Sequence, residues 1–246
     1  MAPPDTTRRA DPGPGPDAAR EQRPAGYRFL LIGGAALACC AGATNMLAML
    51  GGLHHPATHV TGTLTSLPSA IAQGDGPTIG VLSTLLLGFL LGAALSGAVI
   101  ESTELRVGRR YGVLLMAAGS ALALGATLLG HAHPAIGGAF IAGGAGIQNA
   151  MATRISAAVV RTTHMSGIVT DLGIALGKAL AGRGVTRWRV TLYLSLLGGF
   201  TGGCVLGVEL HHGLADAGLY AIAGVLVTAG VGYFIWRIRH FQAFPG

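Results

Sequence analysis

Charge is scarce in this chain: charged side chains make up 11% of its 246 residues, against about 25% in an ordinary soluble domain. With a mean hydropathy of +0.58, that scarcity excludes a water-soluble globular protein and points to an integral membrane protein with the lipid bilayer as its solvent. Acidic residues are the rarer sign, 10 against 16 Lys and Arg. The basic residues form short clusters between apolar runs, without interleaved aromatics, so they read as topogenic charge and no nucleic-acid partner is expected. Cysteine is short as well. Cys39, Cys40 and Cys204 all sit in apolar stretches, which leaves no disulfide framework and no metal-ligand spacing. Nucleophile elbow, phosphate loop, HExxH and CxxC patterns are missing. An enzyme is therefore the least expected class, and no cofactor is implied.

What the chain does have is glycine, 41 residues of it, and long apolar runs. Runs long enough for a bilayer core, about 20 residues, occur at 29–50, 78–100, 111–130, 134–153, 190–210 and 215–236. Two shorter apolar segments, 58–72 and 163–181, are sprinkled with hydroxyls. Residues 1–26 are rich in Pro, Gly and mixed charge, and are expected to form a disordered cytoplasmic tail. The arginines ahead of the first run imitate a signal peptide, but the apolar segments that follow favour an uncleaved first span.

Ten residues occur twice. THVTGTLTSL at 58–67 and THMSGIVTDL at 163–172 agree at five positions and differ by close replacements at three more. Upstream, Ala41-Gly42-x-x-Asn45 is echoed by Ala145-Gly146-x-x-Asn149. The chain is an internal duplication, with repeats at about 27–130 and 134–237 in one transmembrane domain spanning 27–246. If both short segments cross, there are eight spans and parallel halves. If both dip in and return, there are six spans and inverted halves. With the tail inside and six spans, every Lys and Arg is cytoplasmic or at that surface; eight spans would put the cluster at 106–110 outside. The expected fold is therefore all-α integral membrane: six transmembrane helices plus two short re-entrant half-helices, in two inverted repeats, with both termini cytoplasmic at a bacterial inner membrane.

Polar residues kept in both copies of an apolar chain mark the candidate site. Thr58, Thr61 and Thr65 stand at helical spacing, repeated as Thr163, Ser166 and Thr170, with His59 and His164 at the start of each stripe. Gly62 and Gly167 leave room for a backbone or ligand to come close. Asn45, Gln148 and Asn149 on the preceding spans complete a polar lining. Two helix starts facing one another at mid-membrane suit an anion or small polar solute. The plainer reading is that such hydroxyls bond the carbonyl one turn back or cap a helix, and that an Asn is interhelical glue. Asp171 is the one acidic residue in a duplicated segment, a proton-coupling candidate or a solvated surface charge. The glycine pairs 88/92, 198/202 and 203/207 predict close helix packing and admit a homo-oligomer. Six histidines, His54, His55, His131, His133, His211 and His212, fall in the outer loops of the six-span reading. They support the rival function, a non-transporting membrane protein that joins a partner or senses external metal or pH.

At these motifs the chain resembles the YoaK-like family of bacterial multi-pass membrane proteins of unknown function. The family's Gly-x-x-Asp and Met-Thr-Gly-Asn stand here as Gly42-Ala43-Thr44-Asn45 and Val60-Thr61-Gly62-Thr63. Its Gly-x-Gln-Asn and Thr-Thr-x-x-Thr-Gly stand as Gly146-Ile147-Gln148-Asn149 and Thr162-Thr163-His164-Met165-Ser166-Gly167. Asn45 and Thr63 depart from the family's Asp and Asn; any proton or cation role of that Asp is lost here or moved, with Asp171 as the alternative carrier. The resemblance implies the membrane class and supplies no substrate.

Overall fold

The computed structural model describes residues 26–100, 110–155 and 162–241. The tail expected at 1–26, apart from Gly26, and the basic residues Arg106, Arg109 and Arg161 lie outside the described residues. Among the described residues the chain is entirely helical: α1 (Tyr27–Leu50), α2 (Val60–Gln73), α3 (Gly76–Val99), α4 (Arg110–Gly130), α5 (Pro134–Ile155), α6 (Met165–Leu180), α7 (Arg187–Leu214) and α8 (Gly218–Phe241). A 3-10 turn, Ala215–Ala217, joins the last two. His211 and His212, expected in a loop, lie in the last turn of α7.

Four stretches are long and apolar enough to cross a membrane: Tyr27–Leu50, Gly76–Val99, Arg110–Gly130 and Arg187–Arg239, the last spanning both α7 and α8. The glycines of α5, with Gln148 and Asn149, keep that helix out of the set. It has less need of a lipid-facing surface, because Ile141, Ala142, Ile147 and Met151 are buried and it packs along both α3 and α4. With 14 and 16 residues, α2 and α6 reach only about 21 and 24 Å at 1.5 Å per residue, short of the roughly 30 Å hydrocarbon core. Outward faces carry Ile32, Leu90, Leu91 and Val205, all exposed; so many exposed large apolar side chains suit a lipid surround. The turn from α2 to α3 closes on Gly74 at φ 68°, and Asp75 caps α3 by accepting from the Thr78 N–H. Hydrogen bonds from Thr78 hold the Asp75 carboxyl below its ordinary range.

Missing side chains set the helix spacing. Gly88 and Gly92 of α3 press against the backbone of Ala139 and Gly143 in α5, and Gly199, Gly203 and Gly207 of α7 against Ala35, Cys39 and Ala43 in α1. The expected pair Gly198 and Gly202 meets nothing within 4 Å. Adjacent glycines put two small-residue rows side by side, and only the packing selects the row through Gly199. These contacts come in matched sets. Gly42 meets Phe200 and Cys204, as Gly146 meets Phe89 and Ala93. Gly112 meets Gly230, while Gly119 meets Ala223, so α4 and α8 run antiparallel.

Helix ends gather on two faces. On one, the Tyr27 hydroxyl donates to the Trp188 carbonyl at 3.0 Å, Arg110 Nη1 to Val99 O at 3.0 Å and Arg154 Nη2 to Ile100 O at 2.8 Å. On the other, Asp216 Oδ1 accepts from the Gly52 N–H at 3.2 Å, and Leu53 packs beside Gly138. The first face carries the arginines; the second carries His54, His55, His131 and His133.

Candidate functional site

Each short helix starts one residue after a histidine. His59 is the N-cap of α2 and His164 that of α6, and neither side chain caps a backbone N–H. The first-turn N–H groups thus keep a partial positive charge that no side-chain cap neutralises. Both starts open onto one cavity of about 590 Å³. Its walls are matched between the two halves: Asn45 with Asn149, His59 with His164, Val60 with Met165, Thr61 with Ser166, and Phe89 with Phe200, together with Thr58, Thr153 and Thr163. Among the described residues no Asp, Glu, Lys or Arg lines it.

The two asparagines fix the approach to each helix start. Asn45 Oδ1 accepts from both the N–H and the hydroxyl of Thr58, at 3.1 and 3.0 Å. Asn149 Oδ1 accepts from the Thr162 hydroxyl at 3.4 Å, again 13 residues on. With the oxygens engaged, the amide NH₂ donors are what these side chains offer a ligand. Thr58 therefore corresponds structurally to Thr162, not to Thr163 as the sequence match suggests; the second copy has one extra residue before its helix. Thr162 is completely buried.

Of the expected residues, Asn45, Thr58, His59, Thr61, Asn149, Thr163, His164 and Ser166 come together here, and the rest do not. Thr65 and Thr170 turn their hydroxyls back onto the carbonyls of Thr61 and Ser166, at 2.8 and 2.9 Å, so neither stripe extends past the first turn. Thr58 and Thr163 precede the helices and complete no helical row. Gly62 and Gly167 make room for no ligand. A Cβ on Gly62 would stand 2.6 Å from His59 Nδ1, and one on Gly167 would strike the His164 ring, so each glycine seats its own N-cap imidazole. Gln148 is buried glue: its Nε2 donates to Leu37 O at 2.7 Å across α1 and α5. Asp171 borders a separate hollow of about 110 Å³ with Lys178, Arg189 and Tyr193. It is exposed there.

Phe89, Phe200, Thr153, Val60 and Met165 were missed by the sequence reading. The two phenylalanines sit in long apolar runs where nothing polar singles them out. Their equivalence shows only in the shared contacts with Gly146 and Gly42. Among the described residues, no three His, Cys, Asp or Glu side chains converge as a metal site.

Glycine-packed apolar helices, two short helices and a polar cavity between matched halves define the class, a helical membrane-embedded protein. The chain belongs to the family described as protein of unknown function (DUF1275), whose model matches residues 33–232. Comparison with curated proteins and with solved structures finds no match.

Proposed function

We propose that this protein is a carrier or channel for a small polar or anionic solute, with six spans, two re-entrant half-helices and inverted repeats. The observation that carries the reading is the cavity of about 590 Å³ at the starts of both short helices, lined by equivalent residues of the two halves. Antiparallel contacts between the equivalent helices α4 and α8 support inversion. The shortness of α2 and α6 supports re-entry. Irregular backbone at membrane depth is tolerated where it lines an aqueous cavity, which is where the loops before Val60 and Met165 lie. The arginine-bearing face is then cytoplasmic, with both termini on that side of a bacterial inner membrane.

Solute chemistry follows from the lining. Two uncapped helix starts, two amides, hydroxyls and two imidazoles offer donors without a fixed charge, which suits an anion or a neutral polar molecule and disfavours a cation. The proposal includes no covalent chemistry. The matched pair Thr61 and Ser166 supplies the test. Thr61→Val and Ser166→Val, reconstituted in vesicles, are expected to abolish uptake of a panel of small anions and polar solutes that the unaltered protein carries, while melting behaviour stays the same. Unchanged uptake in both variants would defeat the proposal.

A further inference from the structure

The match between the halves breaks at one place. α4 packs closely along α5, where Gly125 and Gly137 each press on the other's backbone and Gly144 meets Ala118. The equivalent helices α8 and α1 touch at only a few points. By the pairing that equates Gly42 with Gly146 and Phe89 with Phe200, Gly33 replaces Gly137 and Trp236 replaces Gly125. Trp236 is half exposed and lies outside the cavity lining, and Gly33 has nothing within 4 Å. The helices stay apart and leave a second cavity of about 260 Å³, almost wholly apolar, lined by α1, α4, α5 and α8. Phe29 and Val225 on its rim are about half exposed, so it opens sideways toward lipid.

Charge departs from the duplication at the same place. Tyr111 and Tyr233 line this cavity, with Arg154 and Arg237 within electrostatic reach of them and Arg28 and Arg110 adjacent in sequence to lining residues. On the opposite face the equivalents of Tyr111 and Tyr233 are Ile222 and Leu122, and that of Arg154 is Leu50, so none of these positions carries a Lys or Arg. We infer that this cavity is a binding site for an anionic phospholipid, one acyl chain lying between α1 and α8 and the phosphate held by the arginines at the rim. A dry apolar slot rejects the polar solute of the central cavity and accepts hydrocarbon. Arginines near its mouth select the anionic headgroup, each contributing about fivefold. The inference needs only the lipid-embedded fold and is independent of transport.

The test uses the full chain, stripped of lipid in detergent. Phosphatidylglycerol is expected to raise its melting temperature and to remain bound in native mass spectrometry, whereas phosphatidylcholine does neither. Gly33→Leu fills the slot from α1 and should remove that preference with lipid-free melting unchanged or raised, since leucine is the better helix former. Ala229→Leu fills it from α8 and should act alike, which guards against misfolding in one variant. Arg237→Gln should weaken phosphatidylglycerol about fivefold and leave phosphatidylcholine unaltered. Equal shifts by the two lipids, or a preference surviving both filling variants, would overturn the inference.

Discussion

Asn45 ties a buried N–H and a buried hydroxyl of Thr58 with a single oxygen. Those bonds hold the loop that delivers His59 to the start of α2. Asn45→Ala leaves both groups of Thr58, a residue only 3% exposed, without a partner, at about 1–3 kcal/mol for a buried unsatisfied group. A lower melting temperature in detergent is expected, and Asn45→Asp, which keeps the acceptor, should recover most of the loss. Equal melting of Asn45→Ala and the unaltered chain would show that the loop is held elsewhere. The residue scale is also where the sequence misleads most. Gly62 and Gly167 look like openings for a ligand, yet the imidazole three residues back fills each one. A hydroxyl at helical spacing looks like part of a path, yet Thr65 and Thr170 spend theirs on the preceding turn.

At the scale of elements, glycine rows decide which helices meet and how closely. Gly203 abuts the Cys39 backbone, whereas Gly202 on the neighbouring row has open space. Gly203→Ala therefore forces α7 away from α1 at a cost of about 1–3 kcal/mol, as for other overpacked sites. Gly202→Ala should be neutral or stabilising by about 0.5–1 kcal/mol, because alanine restricts the unfolded chain and suits a helix. Melting of the two variants side by side checks the row; the opposite order would put Gly202 at the interface. Before folding, the pairs 198/202 and 203/207 are equally good small-residue patterns. Helix rotation distinguishes them, and rotation is set by the partner.

For the whole molecule, the six-span and eight-span arrangements differ in which face each turn occupies. Single cysteines at Gln73 and Gly108, with Cys39, Cys40 and Cys204 replaced by Ala, distinguish the two arrangements in intact cells. With α2 re-entrant, a membrane-impermeant thiol reagent labels position 73 and leaves 108 unlabelled. With α2 crossing, the pattern reverses and the facing helix starts are lost. The gathering of Tyr27, Trp188, Arg110 and Arg154 on the face opposite Gly52 and Asp216 favours the first result.

Composition, hydropathy and the ten repeated residues were enough, by themselves, to determine a helical membrane-type chain and to point to two short helices near 58–72 and 163–181, begun in fact after His59 and His164. These features are local, or are counted along the chain, and need no knowledge of what packs on what. Family membership was likewise legible, in the motifs around Asn45 and Gln148. Only the tertiary structure decided that Thr58 corresponds to Thr162, that Phe89 and Phe200 wall the cavity, that Asp171 stands apart from it, and that the duplication opens between α1 and α8. Each depends on helix rotation and on contacts between residues far apart in sequence.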